Sequence, residues 1–526
     1  MKVVLISGLG PGHIENEDLL DSYFDFTKNV RYKYEEIGYK NLLENLYYHT
    51  STSNYKILRE KKQSEEVDFI SATLKSILNN SSIQYDFIPI SKIWNFESIE
   101  IKDEAIVCLS TTFMWNENML EMAVNWIHNN INCKHLIIGG QYSFLKKQYL
   151  FDKLFDSFDY LITGEAELSL VSLIKCIQNG NEVNKIPNLY YKNKKFLYTF
   201  DQIFNYKETE IVNFEGVHET IPYMSMRGCM YTCKFCALRE CTKKWEYYDA
   251  KRIVEEWGIY GVKNSTTHFS INDSTFFIPY KRAKEFMNLI RLKEYSWDAN
   301  SRADTPFKEE DVKLLEESNC TSLAFGFESM CQKTLDSMSK RTTPEQNRYI
   351  NELFSKSSIE TRMSFIVGFP GETIEDFSYT EDYILNEHYG RYSLYVFEYE
   401  SDVLPISKEK EKYKLVIYND NEEYSWAHSG QNWSHCGMDS NTAKFLRSEL
   451  IHKTRTDLKC KAIAKTWQSN YMPNYVLEFD RHKNLEIEKI LDVLIFASFD
   501  HKEFTNVIEE CLKMLEKYNI YYKEQK

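Results

Sequence analysis

Arg227-Gly228-Cys229-Met230-Tyr231-Thr232-Cys233-Lys234-Phe235-Cys236 sets three cysteines in the pattern Cys-x3-Cys-x2-Cys. The run just before it, Tyr223–Met226, reads as a short strand, so the cysteines lie on a loop at a strand's carboxyl end. Three soft thiolates on one short loop suit an iron–sulfur cluster. Three rather than four leave one iron of a cubic cluster without a protein ligand. If Cys241 joined as a fourth ligand, a closed all-thiolate zinc site is the alternative. The other eight of the twelve cysteines are scattered, several of them in apolar patterns, and read as core residues. A large chain without a secretion signal is not expected to use disulfides.

Outward from this loop the chain alternates. Strands are expected near Tyr223–Met226, His268–Asn272, Trp297–Ser301, Ser322–Phe327, Arg362–Val367 and Ser393–Phe397. Helices fit between them at Ala250–Val262, Pro279–Arg291, Lys308–Glu317, Pro344–Ser355 and Ile374–Leu385. Six strands are fewer than the eight of a closed barrel, so a partial (β/α)6 TIM barrel is predicted over 217–400. Upstream, Val3–Ser7, Ala105–Ser110, Leu136–Ile138 and Tyr160–Thr163 read as strands, with Met119, Ala123, Trp126 and Ile127 at helical spacing. That is a Rossmann-like α/β sheet domain over 1–195, binding its ligand at the strands' carboxyl ends. It carries an insertion at 14–80, rich in Tyr, Asn and charge, with helix-like stretches at Tyr34–Tyr47 and Val67–Leu78. A strand-poor linker is expected from Lys192 to Val217, and a mainly helical C-terminal region over 401–526.

Composition bounds the rest. With 526 residues, two or three domains are expected. A hydrophobic fraction of 43% excludes disorder. A formal net charge of −14 argues against a nucleic-acid partner. Mean hydropathy is −0.49 and no run of about 18 apolar residues occurs, so no membrane span is expected. The first residues read as a strand rather than a signal peptide, which points to the cytoplasm.

The cysteine loop, with Phe235 before its last cysteine, resembles the signature of the radical S-adenosylmethionine (radical SAM) superfamily. Further stretches resemble that superfamily in the expected order: Ser270–Phe276 at the second strand, Phe325-Gly326-Phe327-Glu328-Ser329 at the fourth, and Phe365–Thr373, containing Gly368-Phe369-Pro370-Gly371-Glu372-Thr373, at the fifth. The resemblance implies a 4Fe–4S cluster on Cys229, Cys233 and Cys236, with S-adenosylmethionine chelated to the fourth iron. It implies that Glu328 accepts hydrogen bonds from the ribose or amino group, and that Gly368 and Gly371 let backbone approach the adenine. Asp273 and Arg302 face the same mouth, as site residues or as salt-bridging structural ones.

The N-terminal pattern resembles the cobalamin-binding domain of one large radical SAM class. Ser110-Thr111-Thr112, then Gly139-Gly140, then Gly164-Glu165-Ala166-Glu167 and Pro187-Asn188-Leu189 carry that likeness. It implies cobalamin against Ser110, Gly139, Gly140, Gly164 and Glu165. The Asp-x-His-x-x-Gly motif is absent: Pro11 stands two residues before His13, and Thr112 replaces the expected Leu. Cobalamin without a histidine ligand is the expectation. The implied activity is methylation of an unactivated carbon in a small-molecule or peptide substrate. An external one-electron reductant such as flavodoxin or ferredoxin is implied as partner. A radical cyclase or rearrangement enzyme with the same cofactors is the alternative, and a zinc-stabilised, non-catalytic interaction protein is the alternative from another class. His428, Trp433, His435 and Cys436 stand close together and are read as packing and capping residues, with shaping of the substrate pocket as the functional alternative.

Overall fold

The computed structural model describes residues 1–9, 46–48, 56–57, 67–399, 401–418, 432–464, 480–498, 505–518 and 520–522. His13, His428 and nearly all of 14–66 lie outside the described residues.

The first sheet has seven strands in the order Asp86–Pro89, Lys2–Ser7, Ile101–Ser110, Ile131–Gly139, Tyr160–Ile162, Leu189–Asn193, Lys195–Tyr198. The first five are parallel and the last two antiparallel. Period-two alternation sends Val4, Ile6, Val107 and Leu109 to one face, against Met119, Ala123 and Ile127 of the helix Glu117–Asn130. Val3, Leu5, Ile106 and Cys108 face the other way, against Leu170, Leu173 and Ile174 of the helix Ala166–Asn179. Chain order reverses between Lys2–Ser7 and Ile101–Ser110, so the loops after those strands part and open a crevice at their carboxyl ends. The expected linker needs correcting: Leu189–Asn193 and Lys195–Tyr198 form a hairpin that closes this sheet's edge, held by register pairs such as Tyr190 with Tyr198.

The second sheet is parallel throughout, in the order Thr220–Tyr223, His268–Ile271, Ser296–Arg302, Cys320–Glu328, Glu360–Val367, Gly390–Val396, Ala462–Ala464. The six predicted strands stand in sequence order, and a seventh, Ala462–Ala464 from the C-terminal region, covers the edge of Gly390–Val396. Along Glu360–Val367 the odd residues Thr361, Met363, Phe365 and Val367 are buried towards the helices, while Arg362 and Ser364 face the lumen. Trp257 stacks flat on Phe269 at 4.1 Å, joining the helix Ala250–Asn264 to the second strand. The first strand lies earlier than predicted, at Thr220–Tyr223. The reason is local: Ser225 N donates to Asp273 Oδ1 at 2.7 Å instead of continuing the ladder.

The C-terminal region contributes the helices Ser440–Thr456, Arg481–Ser498 and Thr505–Glu516, together with short strands. One of them, Ile520–Tyr522, pairs with Leu46–Tyr48, so the end of the predicted helix Tyr34–Tyr47 is a strand instead.

Candidate active site at the barrel mouth

The cysteine loop leaves a two-residue ribbon, Met226–Arg227, paired with Glu246–Tyr247. Gly228 turns it at φ +75°. A Cβ there would sit 2.6 Å from the Lys244 carbonyl oxygen, so only glycine passes. Ser274 Oγ donates to Gly228 O at 2.9 Å. Cys229, Cys233 and Cys236 are half-buried and unbridged. The loop is pinned from outside: Lys234 N donates to Met338 O at 2.9 Å, Ile406 N donates to Lys234 O at 3.2 Å, and Lys234 Nζ meets Glu409 at 2.5 Å. Among the described residues no three His, Cys, Asp or Glu side chains converge as the ligands of one metal ion. A four-iron cluster asks for something else, one thiolate at each of three separate irons.

Glu328 ends the fourth strand at φ +64°, and its Oε1 accepts from Lys340 Nζ at 2.6 Å, both groups buried. The pair folds back over Gly326: a Cβ on that residue would lie 2.7 Å from Lys340 Nζ and nearer still to Glu328 Oε1. Asp273 is fully buried and accepts from Ser225 N and Oγ beside Arg282, which makes it a strut of the barrel wall. Arg302 pairs with Asp304 and reaches Cys233.

Gly368 and Gly371 have φ of +85° and +96°. The close approach at both is made by C-terminal aromatic side chains. A Cβ on Gly368 would lie 2.5 Å from Trp433 Cη2, and one on Gly371 2.6 Å from Tyr413 Cε1. His435 stacks on Trp433 at 5.1 Å. Its Nδ1 accepts from Gly437 N at 3.0 Å and Gly371 N at 3.3 Å, so the proton sits on Nε2, which donates to Gly368 O at 3.1 Å. Burial holds His435 below its usual range, in keeping with a neutral ring. Glu372 Oε2 accepts from Gly368 N at 2.7 Å, and burial pushes this carboxyl up to about 8.

A cleft of about 320 Å³ opens between the first sheet and the barrel mouth. That is at the lower end of the ~300–1,000 Å³ of a typical small-molecule pocket. Ser110, Gly139, Gly140, Gly164 and Glu165 all line it from the first sheet, and Met226, Arg227, Gly228 and Ser274 from the barrel. Cys241 also lines it, and buried Cys108 lies at its floor with its thiol raised to about 12 by burial. Gly140, at φ +111°, is sterically required, because a Cβ would meet Thr112 N at 2.8 Å; Gly139 meets only ordinary contacts. Gly164 packs on Asn188, whose Nδ2 would lie 2.7 Å from an added Cβ. Arg227 spans the cleft, donating from Nη1 to Glu165 Oε2 and from Nη2 to Glu167 Oε1, each at 2.6 Å. Its guanidinium lies 4.8 Å from the Tyr206 ring centre. Burial, chiefly, lifts Glu165 above the ordinary carboxylate range, and Arg227 opposes the shift.

Sequence reasoning missed Lys340 and Arg227, and it read His435 as a packing and capping residue without the turn that it clamps. Their partners lie 12, 62 or 60, and 67 or 64 residues away, respectively, with no local pattern to announce them.

Residues 223–384 match the radical SAM superfamily. An uncharacterized methyltransferase of Pyrococcus horikoshii is 29% identical over 237 residues, covering 41% of this chain and 50% of the relative. An anaerobic magnesium-protoporphyrin IX monomethyl ester cyclase of Rubrivivax gelatinosus is 28% identical over 152 residues, 28% of this chain and 27% of the relative. The chain thus spans half or less of the length of these curated relatives. Two solved structures share its fold at 14% identity. The radical S-adenosylmethionine methyltransferase TsrM of Kitasatospora setae, with cobalamin and a 4Fe–4S cluster bound, superposes with a TM-score of 0.56 over 69% of this chain and 80% of that one. The cobalamin-dependent S-adenosylmethionine radical enzyme OxsB, with aqua-cobalamin and S-adenosylmethionine bound, gives 0.57 over 93% and 81%. Among the described residues no helix is long and apolar enough to cross a membrane.

Proposed function

We propose that the radical SAM domain at residues 223–384 serves a cobalamin-dependent C-methyltransferase acting on a small molecule or peptide. One observation carries the reading: Met226, Arg227 and Gly228 line the cleft and lead directly into Cys229. Two sites, one for a thiolate-bound cluster and one for a ligand held against the first sheet, therefore share a wall.

The residues suit both groups. Cys229, Cys233 and Cys236 supply three soft ligands on a loop anchored from outside. The cleft offers an apolar floor of Leu5, Leu109, Ile137 and Ile162, a glycine platform at Gly139-Gly140, and acceptors at Ser110, Thr112, Glu165 and Glu167 for a ligand fringed with N–H donors. When bound, the cluster with S-adenosylmethionine supplies a 5′-deoxyadenosyl radical to abstract hydrogen, and methylated cobalamin supplies the methyl group. Glu328, oriented by Lys340, accepts hydrogen bonds at the strand end. Glu372 and His435 hold the backbone of the Gly368–Gly371 turn. The electron comes from an external carrier such as flavodoxin or ferredoxin, in keeping with a cytoplasmic enzyme. Domains at 1–195, 217–400 and 401–526 divide the work. The first is organised around cobalamin and the second around the cluster, and the third buttresses the barrel.

Anaerobic reconstitution with iron, sulfide and cobalamin tests this. About four iron per chain are expected, lost on replacing Cys229, Cys233 and Cys236 by Ala and kept in Cys241→Ala. Stoichiometric zinc without iron defeats the reading. The similarity to a cyclase favours ring closure as the second reading. Mass spectrometry separates the two: a methylated product supports methyl transfer, and turnover without one supports cyclisation.

A further inference from the structure

Arg302, at the carboxyl end of the strand Ser296–Arg302 and with its side chain 4% exposed, reaches the cysteine loop from the barrel wall. Its guanidinium carbon lies 3.6 Å from the ring centre of Tyr231, a residue of the loop itself. Nη1 donates to Cys233 Sγ at 3.8 Å. Nε donates to Asp304 Oδ1 at 2.8 Å, while Nη2 donates to Asp304 Oδ2 at 3.1 Å and to the Lys340 carbonyl. The fork is therefore fixed on one edge by Asp304 and Lys340 and on one face by Tyr231. The free corner, Nη1, points at the sulfur. Arginine suits this, because a planar fork can be locked by several partners while staying charged.

A buried N–H donor and positive charge at a ligand sulfur favour whichever state of a cluster is more negative. When a four-iron cluster takes one electron from an external donor, its core charge falls from 2+ to 1+. No bond breaks and no proton moves, and Arg302 remains protonated. We propose that Arg302 is a positioning residue, acting through Cys233, that raises the reduction potential of the cluster held by the 229–236 loop. This rests on the reading that the loop binds such a cluster. Asp304 opposes the effect from the far edge of the fork, so Arg302 and Asp304 have opposite signs.

The experiment is potentiometry of the reconstituted full-length protein, read by the EPR signal of the reduced cluster. Arg302→Gln removes the cation and is expected to shift the reduced-to-oxidised ratio at a fixed potential at least tenfold towards oxidised, about 59 mV for a one-electron couple. Arg302→Lys keeps charge without the fork and is expected between Gln and wild type. Asp304→Asn leaves Arg302 uncompensated and is expected to move the midpoint the other way. If Arg302→Gln fails to hold iron, Arg302→Lys and Asp304→Asn carry the test. Midpoints unchanged from wild type in the iron-loaded variants overturn the proposal. A wild-type protein that takes up no four-iron cluster refutes the proposed function instead.

Discussion

Gly326 has no side chain because its space is taken by the ion pair between Glu328 and Lys340. The sequence motif Gly-x-Glu thus encodes a side-chain arrangement as much as a backbone one. Gly326→Ala must expel Lys340 or Glu328, leaving a buried charge unpaired. Its expected outcome is a loss of about 3 kcal/mol or more in stability, the lower end for a broken buried pair, with weakened S-adenosylmethionine binding, read by thermal unfolding and calorimetric titration. Glu372 makes a second prediction at this scale. Its carboxyl, raised by burial from an ordinary 4.5 to about 8, binds more protons folded than unfolded between those values. Its contribution is therefore full below pH about 4.5 and is lost as pH rises to about 8. Glu372→Gln should flatten the fall in melting temperature over that interval; parallel curves for variant and wild type would count against the assignment.

At the scale of elements, the repeating pattern was readable wherever burial alternates with period two or 3.6. The six barrel strands and their helices follow from residues such as Met363 and Phe365 facing helices while Arg362 and Ser364 face the lumen. The strand Ala462–Ala464 was not readable, because three residues carry no period and their place is set by the edge of Gly390–Val396. The hairpin at Leu189–Tyr198 escaped for another reason: its strands bear Tyr and Lys on an edge, a composition that resembles a linker. The site divides along the same line. The cysteine loop and the glycine turns are local in sequence and legible, whereas the side chains that hold them come from far along the chain. Gly140 shows what a legible element can be tested for. It lets the turn after Ile131–Gly139 cross the backbone of Thr112, so Gly140→Ala is strained both by its φ of +111° and by the 2.8 Å approach to Thr112 N. The expected result is at least tenfold weaker cobalamin retention on gel filtration with the iron content unchanged, since the cysteine loop is built elsewhere.

Across the whole molecule, the two sheets are tied at the cleft through Arg227, with Glu165 and Glu167 on one side and Tyr206 beneath. A guanidinium that shares its two amino groups between two carboxylates fixes both distance and angle, which a single point charge would not. Because Gly228 and Cys229 follow Arg227 directly, the first sheet sets where the cysteine loop begins. Arg227→Gln removes the cation and leaves Glu165 and Glu167 facing each other, with Glu167 12% and Glu165 27% exposed. Removing one partner of a buried pair costs about 3–5 kcal/mol, and the partial exposure of Glu165 places this site near the lower figure. That loss falls on the seam between the sheets and spares either core, so calorimetry of the variant should resolve separate transitions for the first sheet and the barrel. Adding Glu165→Gln and Glu167→Gln to the same chain removes the repulsion and should recover part of the stability, because amides can hydrogen-bond across the gap without a charge. If Arg227→Gln unfolds in one transition at the wild-type temperature, the seam is held by packing alone and the clamp has no mechanical role.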